Sequence, residues 1–200
     1  VCSYGSAGYK LVGNVADIIE QRKDTAETKM VFVGQVCVEK GIHYLIEAIL
    51  NLDVQLDIIG PIKAGQEKVF SNMRSNNKVN YIGPLKHSQV MNRLNNYDIF
   101  CLPSLSDNYS LAVVEALSKG IPVLVTENCG NSNDVLDYNL GKVVKIKDSK
   151  GLAEVIANFK KDFDYSAFKT GLETFFSDEK KLAYPRSVYK VYETIVNNRK

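Results

Sequence analysis

Two polar loops carry the residue types best suited to chemistry. The first runs Gly34-Gln35-Val36-Cys37-Val38-Glu39-Lys40-Gly41 and the second Pro103-Ser104-Leu105-Ser106-Asp107-Asn108-Tyr109-Ser110. Gly34 lets a ligand approach the backbone and Lys40 adds a compact positive charge, a combination that suits a phosphate. A turn glycine beside a surface lysine accounts for the same residues. Neither loop is a P-loop, and no G-x-G-x-x-G occurs. Glu115 is more telling, as the only polar residue of Ala112-Val113-Val114-Glu115-Ala116-Leu117. A carboxylate that deep in an apolar stretch needs hydrogen bonds or a partner charge. It serves either a structural salt bridge or backbone contact, or a ligand whose hydroxyls it accepts. Asp107, eight residues earlier, is a second acid before the same apolar run, and a turn or cap explains it equally well.

Other candidates fall away. Cys2, Cys37, Cys101 and Cys129 are widely spaced with no C-x-x-C and no histidine nearby, which argues against zinc and redox sites and for a reducing cytosol. Cys101 lies in an apolar run and reads as core. Asp162-Phe163-Asp164 is the only D-x-D, but it sits among lysines away from any strand end and reads as a solvated face. His43 within one helix and His87 at the start of another read as surface or packing residues.

The 200 residues are 45% hydrophobic and 24% charged, with a net charge of +2. That profile fits a soluble globular chain with a sizeable core, and is too balanced for an electrostatic nucleic-acid or membrane binder. Residues 145–200 carry a local +4 and the remainder −2, a mild asymmetry that a solvated helical face explains. No run approaches the ~18 apolar residues of a membrane span. The first residues, Val1-Cys2-Ser3-Tyr4-Gly5, lack both the pattern of a signal peptide and an initiator methionine, so the chain reads as a fragment.

Short β-branched runs predict strands at Met30–Val33, Gln55–Ile59, Val79–Ile82, Asp98–Leu102, Pro122–Thr126 and Gly141–Ile146. Helical spacing falls between them: Ile42, Leu45, Ile46 and Ile49; Phe70 with Met73; Val90 with Leu94; Leu111 with Val114 and Leu117. The last fifty or so residues turn helical, over Leu152–Phe159, Phe168–Phe176 and Tyr184–Asn198. Alternation of continuous apolar strands with helices predicts an α/β fold, a doubly wound Rossmann-like parallel sheet in the order 3-2-1-4-5-6 with helices on both faces. A ligand then binds beyond the carboxyl ends of strands one and four, where the two polar loops emerge.

In sequence order these segments resemble the C-terminal, donor-binding domain of the retaining GT-B glycosyltransferases of family 4, the glycosyl transferases group 1. Val31-Phe32-Val33-Gly34 through Glu39-Lys40-Gly41 to Leu45-Ile46-Glu47-Ala48 is similar to F-V-G-R-L…K-G…L-I-E-A. Leu56–Gly60 and Val79–Gly83 resemble the next two strands. Leu102-Pro103-Ser104, Asp107-Asn108-Tyr109-Ser110 and Glu115-Ala116-Leu117 resemble P-S…E-G-F-G…E-A-M, and Gly120-Ile121-Pro122-Val123 the following G-x-P-V. The match covers roughly residues 28–160, and Asn14-Val15-Ala16-Asp17 is similar to the link between the family's two domains.

The resemblance implies a hexosyltransferase-like transfer, with retention, from a nucleotide-diphosphate sugar, this chain supplying the donor-binding half of a GT-B fold. Residues 1–27 would be a remnant of the N-terminal domain and the link, 28–176 the donor domain and 177–200 a helix crossing back. Glu115 would bind ribose hydroxyls and Asp107 hydroxyls of the sugar. Backbone amides of Tyr109, Ser110 and Leu111 beside Asn108 would hold the distal phosphate. Lys40 would neutralise the departing diphosphate, with Gly34 and Gln35 in the same loop. The base would lie near Gly83, Pro84 and Leu85. Asp107, Glu115 and Lys40 are thus the implied catalytic set, with no metal and no cofactor beyond the donor.

The chain departs from the family at Gln35 for the usual arginine, Asp107 for glutamate, Asn108 and Ser110 for two glycines, and Gly130-Asn131 for Gly-Gly. A catalytically degenerate nucleotide-sugar-binding or scaffold domain, or a GT-B-fold sugar-nucleotide epimerase, is the alternative. The implied partners are the donor and an N-terminal acceptor domain, not nucleic acid. The implied location is cytoplasmic, compatible with peripheral membrane association of a full-length protein. The apolar stripe Val188, Val191, Tyr192 and Ile195 is expected to need a covering surface.

Overall fold

The computed structural model describes Leu11 and residues 28–178, apart from 69 and 72–76. The Asn14–Asp17 link, Met73 and the Tyr184–Asn198 helix with its apolar stripe lie outside the described residues, as do most of the two ends of the expected domain division. Six strands form one parallel sheet: β1 (Thr28–Val33), β2 (Val54–Ile59), β3 (Val79–Gly83), β4 (Ile99–Leu102), β5 (Val123–Thr126) and β6 (Gly141–Val144). Their order is β3-β2-β1-β4-β5-β6, as the alternation predicts. Every residue of β4 and of β5 is buried. Successive strand residues point to opposite faces, so both faces of the sheet centre are covered.

Helices α1 (Ile42–Ala48), α2 (His87–Arg93), α3 (Leu111–Ser118) and α4 (Ser132–Asp137) follow β1, β3, β4 and β5. The periodicity anticipates the first three and misses α4, whose six residues begin Ser-Asn-Asp and show no apolar stripe. Helices α5 (Ser149–Asp162) and α6 (Tyr165–Ser177) complete the described chain, and α5 packs on α1. Phe159, Phe163, Tyr165 and Phe168 form a ring cluster where α5 turns into α6, with the Phe159 and Phe163 centroids 4.8 Å apart. The D-x-D acids are terminal helix residues: Asp162 ends α5, and Asp164 caps α6 by accepting from the Ser166 and Ala167 amides at 2.9 Å.

Three predicted strands are longer than the observed ones: β5 begins one residue later, at Val123, and β4 and β6 are also shorter. β6 is an edge strand that pairs only with β5, and its pairing ends at Val144 opposite Thr126. Asp98 lies just outside β4, 5% exposed, at the amino end of the sheet. There its carboxylate accepts from the Lys29 amide at 2.8 Å and pairs with Lys160 at 3.5 Å. Cys101 is fully buried, as expected, and Cys37 and Cys129 are buried free thiols. Among the described residues no helix is long and apolar enough to cross a membrane.

Candidate functional site

Beyond the carboxyl ends of β1, β2 and β3 lies a crevice of about 640 Å³. Gly34 and Gln35 wall it on one side, Pro84, Leu85, Lys86 and His87 on another, and Ala112 and Glu115 of α3 close it. The sheet order reverses between β1 and β4, so the crevice occupies the position that a doubly wound sheet reserves for a ligand.

Glu115 is 5% exposed and still lines this crevice. Its Oε1 lies 3.1 Å from Nε2 of His87, the first residue of α2. With its proton on Nε2 the imidazole donates and the carboxylate accepts, which is how an acid inside an apolar helix is tolerated. Glu115 thus has a structural partner, as the first of its two sequence readings expects, and it also lines the crevice. His87 is neither a surface nor a packing residue. It borders the crevice, and no sequence motif marks it because its partner is 28 positions away.

The second cluster is built by the loops after β1, β4 and β5. Lys40 ends a short 3-10 turn, Val38–Lys40, and its Nζ sits 2.5 Å from Asp107 Oδ2. Both side chains are partly exposed, at 26% and 13%. Loop one (34–41, after β1) is tied to loop four (103–110, after β4) by the Leu105 amide, which donates to Glu39 O at 2.8 Å, and by Ser104 Oγ to the same carbonyl at 3.3 Å. Ser104 is fully buried, and its own carbonyl accepts from Thr126 Oγ1. Gly41 completes the fit: its φ is +64°, and a Cβ there would lie 1.9 Å from Pro103 O. Glu39 belongs elsewhere, since Lys63 at 2.5 Å pulls its pKa down to about 2.

The loop after β5 clasps loop four. The Asp107 amide donates to Asn128 O at 3.1 Å, and the Gly130 amide to Asp107 O at 2.7 Å. The Ser110 amide donates to the Asn131 side-chain Oδ1 at 2.7 Å. Tyr109 is held by its hydroxyl on Asp134 at 3.1 Å, and burial together with the Asp134 charge raises its pKa. Burial pushes the Cys129 thiol up to about 11.

Of the anticipated binding residues, Gly34, Gln35, Pro84, Leu85 and Glu115 line the crevice. Lys40 and Asp107 meet each other, and Asn108, Tyr109 and Ser110 of the loop, with Leu111 at the start of α3, lie beside them, outside the crevice lining. Gly83 pairs with Ile59 at the end of β3.

The family model for glycosyl transferases group 1 matches residues 16–170. TuaC of Bacillus subtilis, named a teichuronic acid biosynthesis glycosyltransferase, is 30% identical over 129 residues, which are 64% of this chain and 32% of TuaC. The chain thus spans about a third of that relative's length. The C-terminal domain of the group 1 glycosyl transferase LpcC of Francisella tularensis superposes with a TM-score of 0.68 at 16% identity, over 88% of this chain and 98% of that domain. Anabaena HepE, solved in complex with UDP-glucose, superposes with a TM-score of 0.69 at 19% identity, over 94% of this chain and 54% of HepE. These two likenesses concern the fold, and the match over residues 16–170 concerns the family. This chain belongs to the glycosyl transferases group 1.

Proposed function

We propose that this chain is the donor-binding half of a retaining, family 4 glycosyltransferase that takes a nucleotide-diphosphate sugar. The observation that carries the reading is Glu115, a buried carboxylate facing a crevice at the sheet's reversal point. A carboxylate there accepts from paired ribose hydroxyls, which water would otherwise solvate. HepE, of the same fold, is solved with UDP-glucose. The nucleoside is assigned to the crevice, with the base against Gly83, Pro84 and Leu85. The diphosphate is assigned to the Lys40 cluster and the start of α3, and Asp107 to the sugar hydroxyls.

The chemistry in this reading is displacement at the anomeric carbon, with the leaving diphosphate stabilised electrostatically by Lys40 and backbone amides and without a metal. Acceptor binding belongs to a separate N-terminal domain in a cytoplasmic two-domain enzyme, with residues 1–27 assigned to a remnant of that domain and the link, and 177–200 to a crossing helix. One domain supplies neither the proximity nor the water exclusion that transfer needs, so the chain alone binds donor without turnover.

Isothermal titration with UDP, GDP and ADP tests the reading. Binding of one of them, weakened when its ribose is replaced by 2′-deoxyribose, is the expected result. No binding at millimolar ligand would favour a scaffold that keeps the fold without a donor.

A further inference from the structure

We propose that the Asn131 carboxamide fills the anion position at the start of α3 and thereby sets how much a second phosphate adds to nucleotide affinity. The inference rests on the donor-site reading and assigns a specificity residue within it.

Asn131 is 2% exposed, and its Oδ1 accepts from the Ser110 amide at 2.7 Å. Ser110 is the residue that leads into α3, a helix with no side-chain cap from its own first turn. The first amides of a helix bind anions because they point outward unpaired and carry the positive end of the helix dipole. A carboxamide oxygen is a neutral version of the same acceptor. Here it arrives from the loop after β5 and takes one of the amides assigned to the distal phosphate. The Cys129 thiol also donates to it, at 3.4 Å.

The clasp around Asn131 is tight. Gly130 is so close to loop four that a Cβ would lie 1.6 Å from Asn108 O. Two further backbone bonds join Asp107 to Asn128 and Gly130. The carboxamide is therefore placed by both loops. The cationic side of the subsite is also moderated, since Lys40 pairs with Asp107 at 2.5 Å and position 35 is an uncharged glutamine. A second phosphate must compete with Asn131 for the Ser110 amide and with Asp107 for Lys40. The crevice grips the nucleoside, and the second phosphate adds less than it would at an open helix start.

The test is the ratio of diphosphate to monophosphate affinity, read by titrating UMP and UDP, GMP and GDP, and AMP and ADP into the chain. Asn131→Gly releases the Ser110 amide and should raise that ratio by roughly tenfold, the worth of one hydrogen bond to a charged group. Asn131→Asp keeps an acceptor on Ser110 but adds a negative charge, and should lower the ratio. Opposite shifts in the two variants support the proposal. An unchanged ratio in Asn131→Gly overturns it. So do parallel losses of mono- and diphosphate, because a purely structural asparagine moves both together. If no nucleotide binds the unaltered chain, the donor-site reading itself fails and takes this inference with it.

Discussion

Lys40 Nζ and Asp107 Oδ2 stand 2.5 Å apart although 67 positions separate them in the chain. The pair joins the loop after β1 to the loop after β4, across the point where the strand order reverses. It also sets the two charges assigned to adjoining parts of the donor, diphosphate and sugar, against each other. Lys40→Ala removes the cation and leaves the Asp107 carboxylate facing the same space. Nucleoside diphosphate binding should weaken by roughly 1–3 kcal/mol while free nucleoside binding changes little. Titration of both ligands checks this, and equal losses would mean that Lys40 acts through the fold.

Gln35 lines the crevice in the same loop. An amide there offers neither the charge nor the forked donor geometry of a guanidinium. Gln35→Arg should tighten diphosphate binding by roughly tenfold. An unchanged affinity would show that the loop holds position 35 away from the phosphates.

The sheet was legible because its strands are continuous apolar runs, and only a parallel sheet buried on both faces asks for that. The two loops were legible because polar residues concentrate just after β1 and β4. The contacts that organise them were not. His87 reaches Glu115 and Asn131 reaches Ser110 across loops far apart in sequence, and no periodicity records such pairs. Gly130-Asn131 was visible as a departure from Gly-Gly, but only the fold shows that the added side chain reaches into loop four. The crevice, likewise, could not be divided from the Lys40 cluster until both were placed in space.

Glu115→Gln keeps an oxygen that can accept from His87 but removes the negative charge. Nucleoside diphosphate affinity should fall by roughly 1–3 kcal/mol, the range for hydrogen bonds to a charged group. Ligands lacking ribose hydroxyls should lose less, since the carboxylate's assigned partners are absent from them. Unchanged affinity for the full ligand would sink the ribose assignment.

Gly41→Ala tests the joint between the two loops. The native φ of +64° and the 1.9 Å approach to Pro103 O leave an alanine nowhere to go without moving the second loop. Stability should fall by more than about 2 kcal/mol, as expected where strain and a backbone clash coincide. The urea midpoint measures this. A loss below about 0.5 kcal/mol, the range of ordinary surface changes, would mean the loops separate easily.

His43 supplies the pH dependence of stability. It lies on α1 with Nδ1 buried and without a hydrogen-bond partner. Burial lowers its pKa below 6.5, opposed more weakly by Glu47 one turn later. Between that lowered value and 6.5 the unfolded chain binds a proton on His43 that the folded chain refuses, so stability rises with pH across this window. Its contribution is fully present above about pH 6.5 and is lost as the pH falls through the folded pKa. Urea midpoints should therefore drop between pH 7.5 and pH 5. His43→Leu removes both the titrating group and the orphaned nitrogen, and should drop less over the same interval. Every other ionisable group is common to both proteins, so the difference between the two slopes belongs to His43. Equal slopes would place the ring in a site where it charges as freely as in the unfolded chain.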